Sequence, residues 1–182
     1  MIRKRLVKVV FLFLIGFIFV FKPITIQANE SPKLLFEKAL QESRDGNFIQ
    51  AEKDWNLFLN KNPNDAAAFS NRGNVLLALG DPEGAIIDQT KAIEISPGEL
   101  DPYLNRGIAE EALKLWDKAY KDYNSVLKKN PDDVSALYNL GNVMGSMGNW
   151  TEAKRLFSKV SSSSNGIAMA RSSEALSIYQ LG

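Results

Sequence analysis

Neither cysteine nor histidine occurs among the 182 residues. That double absence removes disulfides, thiol nucleophiles, haem attachment, the common zinc sites and histidine-based acid/base pairs. Carboxylates, lysines and hydroxyls remain, and none forms a catalytic constellation. There is no Gly-x-Ser-x-Gly, no glycine-rich phosphate loop and no Ser-x-x-Lys with its companion motifs. The spacing of a calcium-binding loop is missing as well. The adjacent acids Glu110–Glu111 and Asp132–Asp133 read as solvated charge on helix ends or exposed faces. These absences predict no enzyme, no cofactor, no metal site and no small-molecule substrate.

Negative charge is missing from the amino-terminal end of the molecule. Five of the 22 basic residues (Arg3, Lys4, Arg5, Lys8 and Lys22) precede the first acid, Glu30. The remainder is mildly acidic and carries no basic stripe, which argues against nucleic acid as a partner. Residues 1–28 read as an export signal. Four cations open it, and residues 9–21 form an uncharged apolar run. Lys22 and Pro23 break the run, and Ala28 offers a small residue before the polar start at Asn29-Glu30. A membrane span wants about 20 apolar residues. The run is short for that, so a cleaved signal is the first reading and an anchor kept through residues 9–21 the alternative. In both readings the body lies beyond a membrane.

What the chain has in quantity is repetition. Gly73, Gly107 and Gly141 recur at one constant interval, and so do Asn71, Asn105 and Asn139. Ala51, Ala85, Ala119 and Ala153 keep the same interval, as do Pro63, Pro97 and Pro131. A fixed period of this length marks stacked copies of one supersecondary unit. Each copy carries two apolar stripes at helical spacing, such as Phe69, Gly73, Leu76 and Leu77, then Ala85, Ile86, Ala92 and Ile93. Glycine and alanine stand where two antiparallel helices must approach most closely. Gly80-Asp81-Pro82 and Gly148-Asn149-Trp150 are turn and cap chemistry inside a unit; Asn62-Pro63-Asn64-Asp65 and Asn130-Pro131-Asp132-Asp133 join one unit to the next. Trp55, Tyr123 and Phe157 read as core, with Trp116 and Trp150 packing at helix starts. Arg72 and Arg106 read as packing residues whose stems lie on apolar surface with their heads in water.

This pattern resembles the tetratricopeptide repeat. The resemblance rests on Tyr103, Gly107, Ala119, Tyr123 and Pro131 in one unit and on Leu137, Leu140, Gly141, Ala153 and Phe157 in the next. It implies an all-α, right-handed superhelical solenoid of antiparallel helix pairs, with units at 32–65, 66–99, 100–133 and 134–167 and a half unit at 168–182. The first unit, with Lys38-Ala39 in place of Leu-Gly and Glu42 in place of an aromatic, reads as a cap. The third unit lacks a glycine at its internal turn, having Lys114-Leu115-Trp116. The serine-rich stretch 161–166 predicts a looser connection, and the unfinished fifth unit reads as truncation first and otherwise as an apolar face (Ala175, Ile178 and Tyr179) that binds a partner.

The resemblance also implies a concave groove lined by the first helix of each unit, where a protein or peptide segment binds. Carried over by position, its lining includes Asn71, Asn74, Leu104, Asn105, Ile108, Tyr138, Asn139 and Asn142. The asparagines would form a ladder of amides able to donate to and accept from a peptide backbone, or would bond neighbouring helices instead. Asn74 and Asn105 match the two asparagines of the clamp by which some members hold acidic chaperone tails. Ser70, Ser135 and Asn139 stand at its basic positions, so carboxylate-tail binding is disfavoured. The groove reads as neutral and its binding as weakly salt-dependent.

The expectation is therefore a non-catalytic scaffold supporting assembly or stability of a membrane-associated complex. The Asn-Arg-Gly openings behind a signal look like repeat proteins of photosynthetic lineages, which implies a periplasm or thylakoid lumen. A membrane-anchored adaptor and a fragment of a larger repeat protein are the alternatives. If the signal is cleaved, mass spectrometry of the chain from its native compartment should find a mature start at Asn29. An intact start at Met1 would remove that reading in favour of the anchor.

Overall fold

The computed structural model describes residues 31–161, and the structural statements that follow concern these residues. The segment read as a signal, the connection at 162–166 and the half unit 168–182 lie outside them. The described residues form eight α-helices: α1 (Pro32–Arg44), α2 (Phe48–Lys61), α3 (Ala66–Ala78), α4 (Pro82–Ile95), α5 (Asp101–Ala112), α6 (Trp116–Lys129), α7 (Val134–Ser146) and α8 (Trp150–Ser161). Among them no helix is long and apolar enough to cross a membrane.

Short turns close each pair into an antiparallel hairpin, and their chemistry repeats with the period. Gly46, Gly80 and Gly148 take φ of 76°, 82° and 80°, in the left-handed region where glycine meets no Cβ penalty. Lys114 holds the equivalent place in the third pair and adopts φ 58°. The missing glycine leaves the turn unchanged and is met by local strain. Asp65, Asp81 and Asp133 then cap α3, α4 and α7 by accepting from the backbone N–H of Ala68, Gly84 and Ala136.

Within a pair, the contact that sets the helix spacing joins a small residue on the first helix to a large one on the second. A Cβ at Gly107 would lie 2.6 Å from Cε1 of Tyr123, and one at Gly141 would lie 2.5 Å from Cε1 of Phe157. The space at these two glycines is thus taken by a ring from the second helix. Ala39 and Trp55 hold the same places in the first pair, both fully buried. In the second pair the ring is replaced by Gln89, whose Nε2 would be 2.8 Å from a Cβ on Gly73. Gln89 is 1% exposed. It divides the apolar interior into two clusters. One gathers Leu35, Trp55, Phe58 and Val75, and the other Tyr123, Leu140, Met144, Leu156 and Phe157.

A second column runs beside the first. Asp54, Asp88 and Asp122 are buried on the second helices, and each meets a cation from the first helix of its own pair, always at the same offset in sequence. Lys38 reaches Asp54 at 3.0 Å. Arg72 grips Asp88 with two bonds of 2.7 Å, and Arg106 grips Asp122 at 2.7 and 2.9 Å. The guanidinium of Arg72 also donates to Asn56 Oδ1, and that of Arg106 to Thr90 Oγ1. Each arginine therefore ties its own pair to the pair before it. The expectation that these heads sit in water is overturned: they are fixed by carboxylates that could not stay buried and charged alone. The fourth pair replaces the ion pair with Leu140 and Leu156, both buried.

Helix order across the array follows from which helices touch. Successive first helices meet (α1 with α3, α3 with α5, α5 with α7), whereas among the described residues successive second helices do not. First helices therefore form the inner layer and second helices the outer one.

Substitutions at Gly141 and Arg106, each with its control, test these columns. Gly141→Ala gains about 1 kcal/mol of helix propensity, yet it should lower stability by a net ~1–2 kcal/mol because the Phe157 ring must shift. Gly98→Ala, where nothing lies within 4 Å of an added Cβ, should be close to neutral in the same urea titration. Arg106→Leu should cost about 3 kcal/mol by leaving Asp122 buried without its countercharge. Arg106→Leu with Asp122→Leu, which copies Leu140 and Leu156, should recover most of that loss. Equal losses in the single and double variants would show that the ion pair is not the source.

Candidate peptide-binding groove

The sequence-predicted lining residues all lie on the inner helices: Asn71 and Asn74 on α3, Leu104, Asn105 and Ile108 on α5, Tyr138, Asn139 and Asn142 on α7. They divide into two kinds. Leu104, Ile108 and Tyr138 pack against the second apolar cluster, and Tyr138 stacks on Phe157 with ring centroids 5.7 Å apart. Their groove surface is the outer edge of core residues. The asparagines are different. The side chains of Asn71, Asn105, Asn139 and Asn142 form no hydrogen bond within the described residues, so their amides are not spent on helix-to-helix bonds. Asn74 is the exception: its Oδ1 accepts from Gln89 Nε2 at 2.9 Å.

Between α3 and α5 the inner face opens into a cleft of about 360 Å³. Ser70, Asn71 and Asn74 form one wall, Asp101 and Asn105 the other, and Glu99 stands at the mouth. No cation lines it. This corrects the neutral groove read from the sequence, because the linker ahead of α5 contributes a carboxylate that alignment of the helices alone leaves out. A capping difference explains it. Position 65 and position 133 carry the aspartates that cap α3 and α7, and position 99 is their equivalent. Glutamate is one methylene too long for that role. Accordingly α5 starts at Asp101 with Leu100 as its N-cap and no side-chain cap bond. Glu99 is left exposed, with no hydrogen bond or ion pair from its side chain among the described residues.

The acids Glu110 and Glu111 depart from the solvated reading. Glu110 is 5% exposed, and its Oε2 has no hydrogen-bond partner. Burial first, then the nearby carboxylate of Asp122, pushes its carboxyl up to about 7, against the pull of Arg106 and Lys118. The folded chain holds this proton to higher pH than the unfolded chain. The associated stability is fully present below the ordinary carboxylate range and is lost as pH rises from there through about 7. Glu111 is half-buried and accepts a hydrogen bond from the Tyr123 hydroxyl at 3.0 Å. Burial raises its carboxyl, and that hydroxyl offsets part of the rise. Both acids are thus structural parts of the third pair. Among the described residues no group of three or more acidic side chains is placed to hold a metal ion.

Comparisons with known proteins accord with this architecture. Family models described as the tetratricopeptide repeat match residues 36–99 and 135–163, and one described as a TPR repeat matches residues 112–148. The Hsp70-Hsp90 organizing protein of Triticum aestivum is 29% identical over 119 residues, covering 64% of this chain and 20% of that protein. The chain spans a fifth or less of the length of the curated relatives it matches, this one and a FAM10 family protein of Arabidopsis thaliana included. Among solved structures, the MamA protein superposes with a TM-score of 0.74 at 22% identity, over 83% of this chain and 82% of that one. The first TPR of Spaghetti, solved bound to an HSP90 peptide, gives 0.62 at 23% identity, over 64% of this chain and 93% of that one. At these identities the two structures speak for the fold alone. With the constant period, the paired helices and the three matching models in agreement, the chain belongs to the tetratricopeptide repeat family.

Proposed function

We propose that the chain is a non-catalytic scaffold that binds an extended protein segment along its inner face. The carrying observation is the row of amides on α3, α5 and α7. Asn71, Asn105 and Asn139 recur once per unit, lie on the inner layer and have no side-chain hydrogen bond among the described residues. A peptide backbone presents one donor and one acceptor per residue, and a carboxamide offers the complement of both. A row of such groups at a fixed interval holds a main chain without selecting strongly among side chains. The first TPR of Spaghetti, similar in fold and solved bound to an HSP90 peptide, supports peptide binding as the use of such an array.

The place of action in this reading is outside the cytoplasm, in a periplasm or thylakoid lumen, where the scaffold serves the assembly or stability of a membrane-associated complex. Support comes from the cation-led apolar run ahead of Asn29 and from an array that needs no disulfide, since stacking alone buries its core. A membrane-anchored adaptor is the second reading, favoured by the absence of any charge across residues 9–21.

Replacing Asn71, Asn105 and Asn139 together with alanine should weaken capture of a bound segment at least about tenfold, at roughly 0.5–1.5 kcal/mol for each hydrogen bond lost. Helical content and the melting midpoint should stay close to those of the unmodified chain. A collapse of the melt would show that the amides hold the array together, and unchanged capture with an unchanged melt would move the binding face elsewhere.

A further inference from the structure

We propose that the α3–α5 cleft selects for a cationic segment, seating a lysine or arginine side chain between Glu99 and Asp101 while Asn71 and Asn105 hold the neighbouring main chain. This rests on the groove reading above and names the chemistry of its occupant. Three observations carry it. Glu99 and Asp101 are exposed at the cleft and form no ion pair among the described residues, and no lysine or arginine lines it. Lys129, at the end of α6, is turned to the Pro97 and Gly98 carbonyls and takes no part in the lining. Gln89 Nε2, on α4, donates to the Ser70 carbonyl and to Asn74 Oδ1, whereas the carboxamides of the lining residues Asn71 and Asn105 form no hydrogen bond among the described residues.

Taken together, the charge at the cleft is of one sign. Two carboxylates and the carboxamides of Asn71 and Asn105 line about 360 Å³, with no cation among the lining residues. An ammonium or guanidinium group is the complement, since it brings three or five N–H donors and no acceptor. An acidic segment would meet uncompensated like charge there, so the same two residues select against it. The arrangement also separates tasks along the peptide: amides bind any main chain, and the carboxylates read one side chain.

The test uses the purified full-length chain on a support and nonapeptide pools randomised at every position except the centre, fixed as Lys, Gln or Glu. The Lys pool should be retained most and the Glu pool least, and the difference should shrink as salt is raised. Glu99→Gln and Asp101→Asn, separately and together, should cut retention of the Lys pool by about three- to tenfold and leave the Gln pool unchanged. Both side chains are exposed, so the melt should be unaltered. Glu94→Gln, on the outer helix α4, should have no effect on any pool. If the Lys and Gln pools are retained equally, and Asn71→Ala with Asn105→Ala abolishes both, the cationic preference is wrong while the groove reading stands. A Lys preference that survives Glu99→Gln with Asp101→Asn overturns this placement. Retention of no pool overturns both readings.

Discussion

A helix that lacks a side chain at one point can accept a ring from its neighbour against its own backbone, and the array depends on that accommodation. At Gly107 and Gly141 the rings of Tyr123 and Phe157 come too close for a Cβ. The spacing of the two helices in a pair is set there, and the rest follows. The ring's polar tip must find a partner once buried, and the partner sits at one recurring place. Trp55 Nε1 donates to Ser43, and the Tyr123 hydroxyl to Glu111, at the same offset before the ring in both cases. Phe157 has no polar tip, and the corresponding residue is Gly145, over which Trp150 packs instead. Identity at one position thus dictates chemistry at another.

The same logic explains why charged residues are buried in so regular a scaffold. Asp88 and Asp122 are accommodated inside because a planar guanidinium meets both oxygens of each. The third arm of each arginine then reaches the preceding pair. Such a link is directional in a way that apolar contact is not, and it fixes the rotation of one pair upon the next. Where Leu140 and Leu156 replace it, the neighbouring cluster is larger and supplies the contact by area instead.

The fold was legible because its signal is periodic. Glycine, alanine, asparagine and proline columns each recur in at least three of the four units, so the aromatic core and most of the αL glycines fell where the period put them. Less legible was whatever depends on a pair of distant residues. Arg72 and Arg106 look like surface residues singly, and only their offset to Asp88 and Asp122, itself constant, would have revealed the column. Gln89 was visible as a break in the column of Trp55, Tyr123 and Phe157. The groove was half legible. Its asparagines follow the period, but Glu99 enters through a failed cap, and capping geometry depends on the length of one side chain. Glu110 escaped because burial of a carboxylate leaves no mark on local pattern.

The gap that Gln89 leaves between the two apolar clusters has a consequence for how the array behaves as a body. Stability in a linear array is a sum of units and their nearest-neighbour contacts, so the least cohesive junction sets where it opens first. In this chain the second and third pairs are joined by the Arg106 link to Thr90, and the cleft between α3 and α5 lies across the same junction. A segment seated in the cleft would touch both pairs. Its binding free energy would then add to their cohesion, so occupancy would reinforce the joint that its own contacts span.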